Sequence, residues 1–259
     1  MLTPALLILA GLGAALGQAP WNLWFMAAPA YALGLWVLSR SGRPARAGWL
    51  IGAAHFGLSL HWITEPFFVN AAKTGWLAPV ALVSLAGGMA IFWGLAGWAG
   101  RKLGGGAFGM AVMLAAAELT RAYIFTGFPW ALPGHTLIVS PALPAAALLG
   151  AHGLGLCVLL GAGLVASGRA VPAAFGVALW ALPFGLAAAL SPAPLAGPDA
   201  PVVRLVQPNA PQHLKWNPEW IGTFFRRGLA ATAAPIEGPP PSLTVWPETS
   251  LPELLEYSE

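Results

Sequence analysis

Residues 143–190 read LPAAALLGAHGLGLCVLLGAGLVASGRAVPAAFGVALWALPFGLAAAL and contain one charged side chain, Arg169. The apolar blocks on either side of it, 143–167 and 171–190, are each long enough to cross the hydrocarbon core of a bilayer, which takes roughly 20 apolar residues. Five further blocks of low charge precede them: 2–16, 21–38, 47–63, 75–98 and 108–125. The pattern predicts a polytopic α-helical membrane bundle of about seven spans.

Composition divides the chain into two parts that suit different solvents. Of the 259 residues, 58% are hydrophobic and 8% charged, against about 45–50% and about 25% in soluble domains. Residues 1–195 hold eight Lys/Arg and two acids, whereas residues 196–259 hold four Lys/Arg and seven acids. We therefore expect a transmembrane domain over 1–195, a Pro/Ala/Gly linker over 191–201, and the beginning of a water-exposed domain over 196–259.

The positions of the basic residues predict the orientation of the bundle. If the N-terminus is cytoplasmic, six Lys/Arg of residues 1–195 fall in cytoplasmic loops and two fall on or near the other side. Cytoplasmic loops of membrane proteins are enriched in Lys and Arg. Seven spans would then place residues 196–259 on the outer side.

The last part of the chain has the pattern of an α/β fold. A β-branched strand is predicted over 202–206, and a second strand over 243–246. Between them, residues 218–231 predict a helix with Asn217 as its N-cap and Pro218 in its first position. Glu248 follows the second strand, at the end where α/β folds carry reacting groups. A carboxylate there can act as a general base, although on position alone an acid on a surface loop is the simpler interpretation.

Several functions are excluded or disfavoured. The basic residues form no stripe with interleaved aromatics, so we predict no nucleic-acid partner. The one cysteine, Cys157, lies in an apolar helix without an evident activating partner. His55 and His61 stand on different helical faces without an acidic companion, so no metal site is predicted. Glu118 and Arg121 are spaced i, i+3 on a membrane helix, which favours a structural ion pair over direct contact with a substrate.

Four segments together resemble a known family. The strand-end segment LTVWPETSLP (243–252) and the segment VQPNAPQHLKWNPE (206–219) resemble the start of the nitrilase-like domain of apolipoprotein N-acyltransferases. In the membrane half, TGFPW (126–130), preceded by Glu118 and Arg121, and QAPWNLW (18–24) are similar to further segments of that family.

The resemblance implies a fold, a reaction and two site residues. The fold would be the helical bundle followed by the first β-α-β unit of a nitrilase-like αββα domain. Glu248 corresponds to the family's general base, which deprotonates a cysteine nucleophile, and Trp216 to a tryptophan near the acyl-donor pocket. Lys215 belongs to the K-W pair and is not assigned the family's oxyanion role. That lysine and the nucleophilic cysteine follow the W-P-E strand in the family and have no counterpart in these residues, so we expect this chain alone to be inactive.

The implied partners are a phospholipid as acyl donor and a diacylglyceryl apolipoprotein as acceptor. The implied location is the bacterial inner membrane, with residues 196–259 in the periplasm, and no cofactor is implied. Two alternatives stay open from the residues. One is a membrane transporter or scaffold with a short outer tail. The other is a membrane-tethered amidase of the nitrilase type, which would not need the TGFPW segment.

Overall fold

The helices of the structure follow the apolar blocks of the sequence. A computed structural model describes residues 2–190, 197, 200–248 and 250–251, so most of the predicted linker lies outside the described residues. Its elements, in chain order, are α1 (Leu2–Ala15), α2 (Trp24–Arg40), α3 (Pro44–Ser59), α4 (Ala71–Thr74), α5 (Leu77–Lys102), α6 (Gly106–Tyr123), α7 (Ala146–Val165), α8 (Ala170–Ala189), β1 (Val203–Leu205), α9 (Ile221–Ala233) and β2 (Leu243–Val245). Short 3₁₀ segments occupy His61–Phe68, Pro133–Leu137 and Leu143–Ala145.

Three of the described helical stretches are long and apolar enough to cross a membrane: Leu77–Lys102, Leu143–Val165 and Ala170–Ala189. The prediction of a helical membrane protein is therefore confirmed. Helices α1, α2 and α3 have 14, 17 and 16 residues, which at 1.5 Å per residue is about 21 to 26 Å. Since roughly 30 Å of hydrocarbon has to be crossed, the count of seven spans stays a prediction.

The chain clusters into two compact units, one of residues 1–63 and 79–191 and the other of residues 64–78 and 192–259. In the first unit, α1 packs against α2 and α3, and α7 packs against α2, α6 and α8. Glycines also let α5 approach α3 and α6 closely, because a Cβ on Gly97 would lie 2.5 Å from the carbonyl oxygen of Pro44, and one on Gly100 2.8 Å from the Cα of Met110. Residues without a side chain thus allow these membrane helices to pack closely.

The core of the first unit is aromatic around Trp93. The imidazole of His55 stacks on the indole of Trp93 with ring centroids 5.0 Å apart, and Phe56 and Tyr31 pack against the same indole. The sequence predicts no metal site at His55. In the structure, its Nε2 lies 3.3 Å from the carbonyl oxygen of Ala131. His55 therefore joins α3 to the segment that follows α6.

The second unit contains the predicted strand, helix and strand, with one correction. Strands β1 and β2 are parallel, with Val203 paired to Leu243 and Leu205 to Val245. The predicted helix start at Pro218 is wrong, since α9 begins at Ile221. The side chain of Asn217 accepts a hydrogen bond from the backbone N–H of Glu219 at 2.9 Å. This bond closes a turn before the helix, so Asn217 caps that turn and not α9 itself.

Candidate functional site

The carboxyl ends of the two parallel strands form one edge of the sheet. The pairing continues past β1, because the backbone N–H of Val206 donates to the carbonyl of Val245 at 2.9 Å. Gln207 then follows β1, and Glu248 follows β2 at the same edge. This is the edge at which parallel α/β folds bind ligands. The structure therefore places Glu248 at the predicted strand end, with its side chain exposed.

Helix α9 covers one face of the sheet and fixes it. Gly228 allows the indole of Trp246 to lie against the helix, because a Cβ there would be 2.7 Å from the ring. The indole Nε1 also donates to Thr232 Oγ1 at 2.9 Å. The guanidinium of Arg204, on β1, donates to the carbonyls of Thr232 and Ala234 at the end of α9. Cations are favourable at helix C-termini, so Arg204 holds strand and helix together.

Hydrogen bonds also fix the turn between β1 and α9. The Oε1 of Gln207 accepts the backbone N–H of Asn209 at 2.9 Å, and Asn209 has a φ of 51°, which Asn tolerates better than most residues. Arg227, on α9, donates to the carbonyl of Pro208 at 2.8 Å. The chain thus reaches the Lys215–Trp216 pair in a defined conformation.

A cavity of about 210 Å³ lies between this turn, the start of α9 and the residues after β2. Its lining consists of Gln207, Pro208, Ala210, Lys215, Trp216, Ile221, Phe224, Pro247, Ser250 and Leu251. Of the two predicted site residues, Trp216 lines it and is 43% exposed. Among the described residues, the lining includes Pro247, directly before Glu248, and Ser250, two residues after it, but not Glu248 itself.

Lys215 connects the two predicted site residues. Its Nζ donates to the backbone carbonyl of Glu248 at 3.3 Å and lies 5.6 Å from the ring centroid of Trp216. Lys215 therefore contacts both the backbone of Glu248 and the ring of Trp216. The prediction that Lys215 belongs to the K-W pair, without the family's oxyanion role, stays a prediction.

The site offers a carboxylate, an ammonium group and an apolar aromatic wall. Cys157, the one thiol of the sequence, belongs to α7 of the other unit and is 7% exposed. In the part of the chain that the structure describes, no group of three or more His, Cys, Asp or Glu side chains is placed to hold a metal ion. The chemistry that these residues can supply is thus proton transfer by Glu248 and apolar binding along Trp216.

The helical unit contains a second cluster of functional groups, around the predicted ion pair. Arg121 and Glu118 are 1% and 3% exposed, and their closest atoms, Nη2 and Oε2, are 2.7 Å apart. The Nε of Arg121 and the indole Nε1 of Trp93 both donate to Oε1 of Glu118 at 2.7 Å. The predicted ion pair is confirmed, and it is buried with its carboxylate fully engaged.

The remaining nitrogen of this guanidinium, Nη1, binds the backbone of the TGFPW segment. The Nη1 of Arg121 donates to the carbonyls of Phe128 at 2.7 Å and Trp130 at 2.8 Å. Gln18, which follows α1, donates from Nε2 to the carbonyl of Leu132 at 3.0 Å. Burial lowers the pKa of the nearby His135 imidazole, and the positive charge of Arg121 lowers it further. Two distant polar side chains therefore fix the backbone of residues 128–132.

Sequence reasoning missed Trp93 as a member of this cluster. A tryptophan in a membrane helix is expected near a block end, where the headgroups lie, but Trp93 stands well inside the block 75–98. A buried indole N–H needs an acceptor. A tryptophan at mid-span, together with one carboxylate in a neighbouring block, was the available signal for this hydrogen bond.

Comparisons with known proteins agree with the sequence resemblance. Residues 10–164 match the family described as the apolipoprotein N-acyltransferase N-terminal domain. A protein of Caulobacter vibrioides is 38% identical over 96% of this chain and 50% of its own length. Relatives from Sinorhizobium medicae and Brucella suis are 30% and 31% identical over 95% and 96% of this chain. All three are named apolipoprotein N-acyltransferase, and the chain spans about half of their length.

Proposed function

The chain belongs to the apolipoprotein N-acyltransferase family, and from this membership we propose that it supplies the membrane bundle and the first strands of the reaction domain of such an enzyme. The complete protein transfers an acyl chain from a phospholipid to the amino group of the diacylglyceryl-cysteine that begins a lipoprotein. Residues 196–259 begin the nitrilase-like domain. A single observation supports the proposal best, namely the W-P-E glutamate at the carboxyl edge of two parallel strands.

In the first half-reaction, Glu248 removes the proton of a cysteine thiol that the reaction domain supplies after the W-P-E strand. The thiolate attacks the carbonyl carbon of a phospholipid ester, a thioester forms, and the lysophospholipid leaves with the proton. In the second, the amino group of the lipoprotein attacks the thioester, an amide forms, and the thiol is restored. Trp216 binds the acyl chain. Such covalent catalysis divides one difficult transfer into two easier ones.

The membrane placement suits these substrates. Both are anchored in the bilayer, so a reaction domain held at its surface needs only lateral diffusion to meet them. We assign seven spans to α1–α3 and α5–α8, with the N-terminus in the cytoplasm and residues 196–259 in the periplasm of a bacterial inner membrane. The charge bias of the loops supports this orientation. Fusions of alkaline phosphatase after residues 40, 102 and 200 test it, and activity is expected only after residue 200.

The proposed role of Glu248 is tested in the complete protein encoded by the gene. Glu248→Gln keeps the size of the side chain and removes its basicity, and Glu237→Gln, in the exposed loop before β2, is the matched control. The assay is the mass of the N-terminal peptide of a reporter lipoprotein in cells that depend on this gene. We expect N-acylation to fall by about 10²–10⁴-fold in Glu248→Gln and to stay unchanged in the control.

Normal acylation by Glu248→Gln would contradict the proposed role of Glu248 as the general base. Reading the gene past the codon of Glu259 gives an independent test. An open frame that contains a lysine and a strand-end cysteine would supply the missing members of the proposed site. A frame without them would contradict acyl transfer by this protein.

A further inference from the structure

The helical unit carries its unpaired charge near the ends of its helices, and all of that charge is positive. Apart from the buried pair of Glu118 and Arg121, residues 1–63 and 79–191 contain no acid and six basic residues. All six are exposed and lie at or next to a helix end: Arg40, Arg43, Arg46, Arg101, Lys102 and Arg169. These six residues are called the basic cluster below.

Contacts between helix ends place the basic cluster at one end of the unit. The Nη2 of Arg101, at the end of α5, donates to the carbonyls of Ser39 at 3.1 Å and Ser41 at 2.6 Å, where α2 ends. A turn of three residues joins α5 to α6. At the end of α7, a Cβ on Gly163 would lie 3.1 Å from the Cα of Phe108, in the first turn of α6. The loops after α2, α5 and α7 therefore lie together.

A tryptophan lies one helical turn inward from the cations on each of three helices. The three indoles are 40–52% exposed: Trp36 before Arg40 on α2, Trp49 after Arg46 on α3, and Trp98 before Arg101 on α5. Tryptophan is enriched where the hydrocarbon meets the headgroups, so the cations lie at the depth of lipid phosphates. Further inward on α5, Leu95 and Ile91 are more than half exposed, which offers an apolar surface to acyl chains.

The unit itself does not neutralise the basic cluster. Its single acid, Glu118, is buried and engaged by Arg121 and Trp93. Arg43 and Arg46 moreover occupy the N-cap and the first turn of α3, where a positive charge opposes the helix dipole. The helix gains nothing from these two charges, whereas a bound anion would. Basic loops also orient a bundle in the membrane, and that role alone needs no bound ligand.

We propose that the basic cluster binds the headgroup of a phospholipid with a net negative charge, whose acyl chains lie along the tryptophans and the apolar surface of α5. A zwitterionic headgroup fits less well, because its ammonium group would meet six cations and no carboxylate of the unit. A soluble anion would gain nothing from the apolar surface. In the orientation proposed above, the lipid comes from the cytoplasmic leaflet. The inference goes beyond acyl transfer, to which none of these six residues is assigned.

The test is lipid retention by the complete protein in detergent, measured by native mass spectrometry. The protein is offered equal amounts of dioleoylphosphatidylglycerol, which is anionic, and dioleoylphosphatidylethanolamine, which has the same chains and phosphate but also an ammonium group. We expect phosphatidylglycerol to be retained in preference. Glycerophosphoglycerol, the same headgroup without chains, should be retained far less.

Two double variants remove equal charge from different places. Arg43→Gln/Arg46→Gln alters the basic cluster, and Lys73→Gln/Arg226→Gln, at two exposed cations of the other unit, is the matched control. Each cation near an anionic lipid surface contributes about fivefold to binding, so the first variant should lower the preference for phosphatidylglycerol by about 5- to 30-fold. The control should leave it unchanged. Because the two arginines oppose the dipole of α3, their loss should not lower the melting temperature of the lipid-free protein.

Arg43→Lys/Arg46→Lys keeps both charges and should keep the preference, which separates the effect of charge from any change of fold. Four results would overturn the proposal. Equal retention of the two lipids by the unaltered protein would mean that the cations only orient the bundle. An unchanged preference in Arg43→Gln/Arg46→Gln, or its loss in the lysine variant, would contradict a site based on these charges. Retention of glycerophosphoglycerol as strong as that of phosphatidylglycerol would mean that the ligand is a soluble anion.

Discussion

Replacing Arg121 by leucine is expected to destabilise the helical unit more than any other single change to a basic residue that the structure describes. The guanidinium makes two hydrogen bonds of 2.7 Å to the carboxylate of Glu118 and two, of 2.7 and 2.8 Å, to the carbonyls of Phe128 and Trp130. In Arg121→Leu, Glu118 keeps the indole N–H of Trp93 as a donor but loses its counter-charge inside the bundle.

The magnitude follows from these contacts. Removing one partner of a buried ion pair costs about 3–5 kcal/mol, and each of the two carbonyls left unsatisfied adds about 1–3 kcal/mol, so we expect a loss of about 5–11 kcal/mol. The free energy of unfolding of a whole protein is about 5–15 kcal/mol, so cells should accumulate little of the folded variant. The double variant Glu118→Leu/Arg121→Leu removes the uncompensated charge and leaves only neutral groups without partners. It should therefore be more stable than the single variant by about 2 kcal/mol.

The assay is chemical unfolding of each purified variant in one detergent, followed by far-UV circular dichroism. Arg101→Leu is the control, because Arg101 is exposed at the end of α5 and its guanidinium also donates to two carbonyls, those of Ser39 and Ser41. Its loss should cost less than about 1 kcal/mol. A single variant as stable as the double one would refute the argument that Arg121 compensates a buried carboxylate.

Three further results are expected. Gly134→Ala should lower the free energy of unfolding by about 1–3 kcal/mol, because the added Cβ would overlap the backbone of α7. Gly109→Ala, whose added Cβ would have nothing within 4 Å, should instead stabilise α6 by about 0.5–1 kcal/mol. Equal effects of the two substitutions would contradict the close contact at Gly134. In the complete enzyme, Trp216→Ala should lower acyl transfer on the order of tenfold, about 1.4 kcal/mol, while Trp220→Ala, equally exposed at 43% but outside the cavity lining, should not. Because the pKa of His135 is lowered in the folded state, the protein should lose stability as the pH drops below about 6.5, the pKa of histidine in the unfolded chain. His135→Gln should therefore weaken the decrease in melting temperature between pH 7 and 5. An unchanged decrease would mean that other groups cause it.

The membrane helices could be predicted from the sequence because each depends on local composition. Every apolar block is mainly helical, with a kink at Gly150 inside α7, and the parallel strands lie within a residue of the predicted ones. The predicted start of α9 was three residues too early, and this error also has a local cause. Asn217 and Pro218 are typical of a helix start, but here their hydrogen bonds close a separate turn.

The sequence by itself determined the apolar helices, the parallel strand pair, the position of Glu248 after β2 and the i, i+3 ion pair. The helices, each strand and the ion pair depend on residues that are neighbours in the chain, where periodicity and spacing fix the geometry, and the strand-helix-strand order favours parallel pairing of the two strands. Only the tertiary structure decided that Arg121 also holds the carbonyls of Phe128 and Trp130 and that Trp93 donates to Glu118. Those facts depend on distances between separate elements, and such distances are set by how closely the helices pack, which local sequence does not specify.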